Sequence, residues 1–153
     1  MHYFKKEIVL QEVPGEISLC YFICGCPLHC KGCHSSFTWN EQTGYHLNIQ
    51  DYQDTLERYK SYVSCILFMG GEWHENELIH LLHIAKEKGL KTCLYTGLDD
   101  VSIPLKNKLT YLKTGSWIPE LGSLNSSRTN QRMILLKTGE CLNPCFQREV
   151  LVG

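Results

Sequence analysis

Three cysteines that lie close together in the chain, Cys26, Cys30 and Cys33, follow the spacing C-x3-C-x2-C. Thiolates at this spacing can reach one metal centre only if the backbone wraps around it, and the neighbouring glycines and proline permit such turns. A cubane iron–sulfur cluster normally takes a thiolate on each of its four irons, so three ligands leave one iron open. An open coordination position distinguishes a catalytic metal site from a closed structural one. The spacing therefore predicts a reactive iron–sulfur cluster.

A closed zinc site is the main alternative for these cysteines. Cys24 lies two residues before Cys26 and would supply the fourth thiolate of a tetrahedral, chemically inert centre. Cys24 also stands where a strand is expected to end, so we expect it, like Cys20, to point into the core. An electron-transfer cluster is less favoured, because it lacks an obvious fourth ligand. The zinc interpretation stays open at this point.

Four other cysteines are predicted to lie outside this site. Cys65 and Cys93 fall within apolar runs and are expected to pack in the core. Cys141 and Cys145 form a second C-x3-C pair near the carboxyl terminus. Two cysteines without identifiable partners are too few to define a metal site, so we expect a non-catalytic pair in a terminal turn.

Short apolar runs of strand length alternate with helical patterns. The runs are Ile8–Val13, Ser18–Cys24, Cys65–Met69, Lys91–Thr96, Leu109–Lys113 and Met133–Leu136. One helix is predicted to begin after Asn48 and to carry its apolar face as far as Val63, and a second to end at Gly89. This alternation predicts a parallel α/β fold. A complete eight-fold barrel needs about 250 residues, so an incomplete barrel or an open sheet is expected.

Three polar or glycine-rich motifs follow predicted strands. They are the cysteine loop (residues 24–34), Gly70-Gly71-Glu72 and Thr96-Gly97. Ligands in parallel α/β folds bind at the carboxyl ends of the strands. We therefore expect the three motifs to meet at one edge of the sheet and to form one site.

The composition is typical of a single globular domain. The chain has 153 residues, of which 43% are hydrophobic and 20% charged. Its net charge of −1 provides no electrostatic basis for binding nucleic acid or an anionic membrane. No apolar run approaches the roughly 20 residues that span a bilayer, and no signal-peptide core is evident. Nine cysteines, an odd number, then favour a reducing cytoplasm in which thiols bind metal.

The cysteine loop resembles the radical S-adenosylmethionine (SAM) superfamily. More closely, the run Cys26-Pro-Leu-His-Cys30-Lys-Gly-Cys33-His34 resembles the activating enzymes of anaerobic (class III) ribonucleotide reductase. The resemblance continues through Trp39, Gly70-Gly71-Glu72, Thr96-Gly97 and the late segment Ser127–Arg132, and it covers nearly the whole chain. It implies a single radical SAM domain over residues 1–153 with an incomplete β/α barrel.

The resemblance also implies a division of labour between protein and cofactors. Cys26, Cys30 and Cys33 would bind three irons of a [4Fe-4S] cluster, and SAM would bind the fourth through its amino and carboxylate groups. Reductive cleavage of SAM would yield a 5′-deoxyadenosyl radical that removes hydrogen from a glycine of the reductase. Because cluster and SAM supply the chemistry, no catalytic side-chain acid or base is expected. The implied partners are the glycyl-radical subunit of anaerobic ribonucleotide reductase and a low-potential electron donor such as flavodoxin or ferredoxin.

Seven residues are predicted to contact SAM. Gly70 and Gly71 lack a Cβ and allow the backbone to approach a ligand closely. The SAM ammonium needs hydrogen-bond acceptors, which the Glu72 carboxylate or nearby backbone carbonyls can provide. Thr96 would hydrogen-bond a ribose hydroxyl. The other three, which would pass close to the adenine with the imidazole packed on the ring, are Gly32, Cys33 and His34.

The sequence departs from the family pattern at three places. Trp73-His74 stands where Pro-Leu often follows the Gly-Gly-Asp/Glu motif, and Ser35 where asparagine is common. Pro14-Gly15-Glu16-Ile17 replaces the usual Gly-Ile-Arg before the first core strand. The contacts made by these segments are expected to differ from those of the family.

Three other functions are compatible with the same residues. The chain could activate another glycyl-radical enzyme of the pyruvate formate-lyase type, or act on a small molecule. Its shortness favours a protein substrate, because a partner can cover the open side of the site. A zinc-stabilised interaction module without catalysis is the alternative of a different class.

Overall fold

A computed structural model of the protein describes residues 1–147. The strands are β1 (His2–Val9), β2 (Ser18–Ile23), β3 (Tyr45–His46), β4 (Cys65–Met69), β5 (Lys91–Tyr95), β6 (Tyr111–Thr114), β7 (Arg132–Leu135) and β8 (Glu140–Cys141). The α-helices are α1 (Ile49–Tyr59), α2 (Glu75–Glu87), α3 (Ile103–Lys106) and α4 (Pro144–Gln147). None of the helices within these residues has the length and apolar character needed to cross a bilayer.

Within residues 1–147, eight strands form one mixed sheet in the order β3-β1-β2-β4-β5-β6-β7-β8. The central strands β2, β4, β5 and β6 are parallel, and each successive pair is connected through one of the helices α1, α2 and α3. The outer strands on both sides pair antiparallel. The α/β prediction is therefore confirmed, with antiparallel strands flanking the parallel centre.

Helix α1 begins as the sequence predicts. The side chain of Asn48 accepts a hydrogen bond of 3.1 Å from the backbone N–H of Asp51, which satisfies a donor that the first helical turn leaves free. The helix ends at Tyr59, earlier than its apolar pattern suggests, although Val63 is buried beyond it. Helix α2 ends just before Gly89, whose φ of +80° suits a residue without Cβ.

The two faces of the sheet have different cores. Helices α1 and α2 cover one face and enclose the larger apolar cluster. The opposite face carries Cys20, Cys65 and Cys93, which lie on three neighbouring strands and are fully buried. Burial raises the pKa of the Cys65 thiol to about 12, so this group stays protonated and behaves as a small apolar side chain. The predicted core positions of these cysteines, and of Cys24, are confirmed.

The predicted strand Ile8–Val13 is wrong. Strand β1 occupies His2–Val9, and the chain turns after it. Residues 4–8 of this strand are exposed, and β3 pairs only with its first two residues, His2 and Tyr3. Charged side chains are therefore tolerated there, and no apolar run marks the strand.

The segment Pro14–Ile17, which differs from the family pattern, contacts the amino ends of the central strands. Glu16 is buried, and its Oε1 lies 2.5 Å from Lys91 Nζ. The same oxygen accepts a hydrogen bond of 3.1 Å from the Tyr111 hydroxyl. Lys91 and Tyr111 are the first residues of β5 and β6, so Glu16 lies at the opposite edge of the sheet from the cysteine loop.

Candidate metal and cofactor site

Loops at the carboxyl ends of β2, β4 and β5 meet around a cavity of about 160 Å³, here called the small cavity. Its lining includes six of the nine predicted metal ligands and SAM contacts, which are Cys26, Cys30, Cys33, Gly70, Glu72 and Thr96. The three motifs therefore adjoin one space, as expected for parallel strands whose carboxyl ends share an edge.

The cysteine loop turns sharply along its length. Gly25, His29 and Gly32 have φ values of +99°, +46° and +71°, a conformation that glycine adopts at little cost. The backbone N–H of Cys33 donates to the carbonyl of Cys30 over 3.1 Å. The N–H of residue 35 donates to the Cys33 sulfur over 3.3 Å, as occurs around sulfur ligands. With these turns, all three cysteines line the small cavity.

The three thiols adjoin the small cavity without forming a closed cage. Within the part of the chain that the structure describes, no three Cys, His, Asp or Glu side chains are gathered closely enough to hold an ion. Burial raises the pKa of the Cys26 thiol, and the nearby Glu72 carboxylate adds to the effect. A bound metal reverses this balance, because coordination deprotonates a thiol. The cysteines therefore stay predicted ligands, and their donor chemistry suits an iron–sulfur cluster.

Cys24 does not share this position. It is fully buried at the end of β2 and is absent from the residues that line the small cavity among those described. A four-thiolate zinc centre would require its sulfur to join the other three. The observed position of Cys24 thus favours the three-ligand interpretation.

Glu72 and Thr96 form a polar pair beside the cysteines. The Thr96 hydroxyl donates a hydrogen bond of 2.7 Å to Glu72 Oε1 and accepts one of 3.1 Å from the backbone N–H of Leu98. The second oxygen, Glu72 Oε2, is buried and has no hydrogen-bond partner among residues 1–147. Burial raises the pKa of this carboxyl, although Thr96 and the charge of Lys113 oppose the shift. A buried acceptor without a donor is costly, so this oxygen suits the ammonium group of a ligand.

Lys113 is a residue of the site that the sequence reasoning did not identify. It is buried in β6, and its Nζ donates to the carbonyl of Gly115 over 2.9 Å. No carboxylate lies within ion-pair distance of it in the described structure. Burial lowers the pKa of Lys113 to about 8, against the attraction of the Cys30 and Glu72 charges. An ammonium in this position suits a ligand carboxylate. In the sequence, the feature that could have identified Lys113 is a lysine at the end of an apolar run.

A second cavity of about 960 Å³, here called the large cavity, lies on the sheet face opposite helices α1 and α2. Its lining shares with the small cavity the residues Cys33, Ser35, Tyr95, Lys113, Trp117 and Gln131. The two cavities are therefore adjacent.

The remaining predicted SAM contacts lie outside the small cavity. Gly71 has a φ of +114°, and a Cβ there would face the core residues Ile23 and Leu78, so this glycine serves the turn of the backbone. His34 is exposed and lines the large cavity, with its ring 4.8 Å from that of Trp117. Gly32 is likewise exposed beside Trp117.

The late segment contributes one side chain to both cavities. Gln131 is buried and lines both of them. Asn130 supports the loop through a hydrogen bond of 3.0 Å from its Nδ2 to the carbonyl of Ser116. Ser127, Arg128 and Arg132 are exposed. In this segment Gln131 therefore faces the cavities, whereas the two arginines lie at the surface.

The second cysteine pair is divided between two elements. Cys141 ends β8, and Cys145 lies in α4, where it lines the large cavity. Both thiols are free. The structure therefore places one of these cysteines beside a cavity, in contrast to the terminal turn expected for both.

Comparison with known proteins agrees with the cluster interpretation. A family described as a 4Fe-4S single cluster domain matches residues 13–115, which include the cysteine loop, Glu72, Thr96 and Lys113. A pyruvate formate-lyase-activating enzyme from Clostridium pasteurianum is 34% identical over 94 residues, which are 58% of this chain and 39% of that protein. The chain thus spans about two-fifths of the length of this curated relative. Since the family match covers more than half of the chain, the protein belongs to the 4Fe-4S single cluster domain family.

Proposed function

We propose that this protein is a radical SAM activating enzyme that installs a glycyl radical on a partner enzyme. The observation that carries the proposal is the small cavity, where Cys26, Cys30 and Cys33 adjoin the unpartnered Glu72 oxygen. The family match provides the iron–sulfur cluster, and the relative's name provides the reaction class. When bound, the cluster and SAM supply a one-electron cleavage that generates a 5′-deoxyadenosyl radical.

The protein's own groups would bind and orient SAM. Glu72 Oε2 would accept hydrogen bonds from its ammonium, and Lys113 would pair with its carboxylate. Thr96 holds Glu72 Oε1 and receives the N–H of Leu98, which leaves one hydroxyl lone pair for a ribose hydroxyl. Gly70 would let the backbone approach the ligand.

The adenine of SAM would lie at the mouth of the site. Gly32, Cys33 and His34 form the outer part of the cysteine loop, and His34 already contacts the Trp117 ring. An aromatic surface that is open on one side suits a flat base. The predicted packing of His34 on the adenine is therefore retained in the proposal.

The fold supports an incomplete β/α barrel, formed by β2, β4, β5 and β6 with their connecting helices. The helices cover one face of these strands, and the large cavity lies on the other. We assign residues 1–153 to one such domain. The reduced cysteines on which it depends favour a cytoplasmic location.

Two glycyl-radical partners are supported by different observations. Anaerobic ribonucleotide reductase is favoured by the sequence from Cys26 to His34 and by the segment Ser127–Arg132. A pyruvate formate-lyase-type partner is favoured by the curated relative. The large cavity can receive a peptide segment in either case. A flavodoxin or ferredoxin would supply the electron.

The cofactor assignment is tested by anaerobic reconstitution with iron and sulfide, followed by electron paramagnetic resonance of the reduced protein. We expect the signal of a reduced cubane and a change in that signal when SAM is added, because SAM binds the open iron. Bound zinc in place of iron, or a cluster signal that SAM leaves unchanged, would contradict the assignment. The first of these results would indicate a structural metal module.

The partner is tested by incubating the reduced protein and SAM with each glycyl-radical enzyme separately. We expect a glycyl-centred radical doublet on one of them, and only when SAM is present. A partner variant with the acceptor glycine replaced by alanine is the control. Consumption of SAM without a radical on either protein would favour a small-molecule substrate.

A further inference from the structure

Trp73 connects two of the loops that form the candidate site. It belongs to the 3-10 turn Glu72–His74, which directly follows Gly70 and Gly71. Its Nε1 donates a hydrogen bond of 3.1 Å to the carbonyl oxygen of Cys24. The side chain next to Glu72 therefore holds the backbone at the start of the cysteine loop.

Two glycines allow the indole of Trp73 to reach that carbonyl. A Cβ added at Gly70 would overlap the Trp73 ring, and one at Gly25 would lie 3.1 Å from Trp73 Nε1. Both glycines have positive φ values, +84° and +99°. A side chain at either position would displace the indole or strain the backbone. The contact therefore depends on glycine on both sides.

His74, the next residue, contacts the chain beyond the cysteine loop, at Glu41. Its Nε2 lies 2.6 Å from Glu41 Oε1, close enough for an ion pair when the imidazole is protonated, though without the angle of a hydrogen bond. Glu41 follows the short turn after the cysteine loop. Segment 24–41 contains all three predicted iron ligands. It is thus contacted near both ends by consecutive side chains of the turn that carries Glu72.

We propose that Trp73, supported by His74, is a positioning residue that fixes the cysteine loop relative to Glu72. The inference rests on the proposed function, in which SAM must contact the cluster and Glu72 at the same time. A ligand that touches two loops binds more tightly when their separation is set beforehand. In the activating enzymes that the sequence resembles, proline often stands at position 73, and its side chain has no hydrogen-bond donor. The hydrogen bond to Cys24 therefore depends on the tryptophan that this chain has instead.

The test uses the reconstituted chain of residues 1–153 with Trp73→Phe, which keeps an aromatic ring and removes the N–H donor. Anaerobic hydrogen–deuterium exchange should become about five-fold faster in peptides from residues 24–41, the effect of losing one net hydrogen bond. Exchange in β4 and β5 should stay unchanged. The Kd for SAM should rise by a similar factor, while iron per chain remains the same.

Tyr62→Phe is the control for exchange, because it removes the hydrogen-bond donor of an aromatic side chain that is 70% exposed and lies outside residues 24–41. We expect it to leave exchange in residues 24–41 unchanged. If Trp73→Phe does not fold, His74→Gln tests the second contact, and faster exchange is expected near Glu41 only.

Unchanged exchange in residues 24–41, faster exchange throughout the chain, or loss of iron in Trp73→Phe would overturn the positioning role. Failure of the proposed function is distinguishable from these results. In that case the unaltered protein does not respond to SAM, whereas the exchange comparison still shows whether Trp73 holds the loop.

Discussion

Replacing Cys30 by alanine is expected to abolish both cluster assembly and SAM cleavage. Cys30 is the central member of the three cysteines that adjoin the small cavity. With two ligands in place of three, a cubane loses the thiolate of a second iron and is no longer held. Iron and sulfide per chain should fall to background after anaerobic reconstitution. Formation of 5′-deoxyadenosine should fall below detection.

Cys24→Ala is the matched control for this substitution. Cys24 is buried at the end of β2 and stands outside the small cavity, so removing its sulfur should leave iron content and SAM cleavage close to those of the unaltered protein. A zinc centre built on four thiolates would instead lose its metal with either substitution. Retained SAM cleavage in Cys30→Ala would contradict the three-ligand assignment.

The parallel centre of the sheet could be predicted from the sequence because its strands are buried on both faces. Cys65–Met69 has the same bounds in the prediction and in the structure, since such a strand consists of apolar residues bounded by glycine. Strand β1 could not be found in this way. Its central residues Lys5, Lys6 and Glu7 are exposed, so hydrophobicity carries no signal there.

The cysteine spacing and the Gly-Gly-Glu motif could also be predicted, but the polar contacts between loops could not. Glu72 and Thr96 meet because β4 and β5 are adjacent and in a register that places Met69 beside Tyr95. In the sequence Lys113 is only the last residue of an apolar run. Its burial and its place in the lining of both cavities show that it is an ammonium of the site, and no carboxylate of the described residues pairs with it. Strand order and register depend on the whole fold, so local patterns do not specify them.

Glu72→Gln is expected to weaken SAM binding by about 30-fold or more while leaving the cluster in place. Glutamine keeps the size of the side chain and an acceptor for Thr96, but it removes the charge that would pair with the SAM ammonium. Loss of one partner from a buried charge pair costs about 2–5 kcal/mol, and about 1.4 kcal/mol corresponds to a ten-fold change in Kd. The change is measured by titrating the reduced cluster with SAM. Iron per chain is determined in parallel.

Although Glu72→Gln should weaken SAM binding, it should not lower the stability of the fold. Burial raises the pKa of Glu72, so its stabilising contribution is present below the unfolded pKa of about 4.3 and is lost as pH rises through the folded pKa. Glu72→Gln should therefore unfold at an equal or higher urea concentration near pH 8, with the difference shrinking toward pH 4. Glu140→Gln, at an exposed position on β8 without an ion pair in the described structure, is the control and should alter neither property. Lower stability with unchanged SAM affinity would show that Glu72 supports the fold alone. Weaker SAM binding in a protein of undiminished stability would show that this carboxylate is held, at a cost to folding, for its ligand.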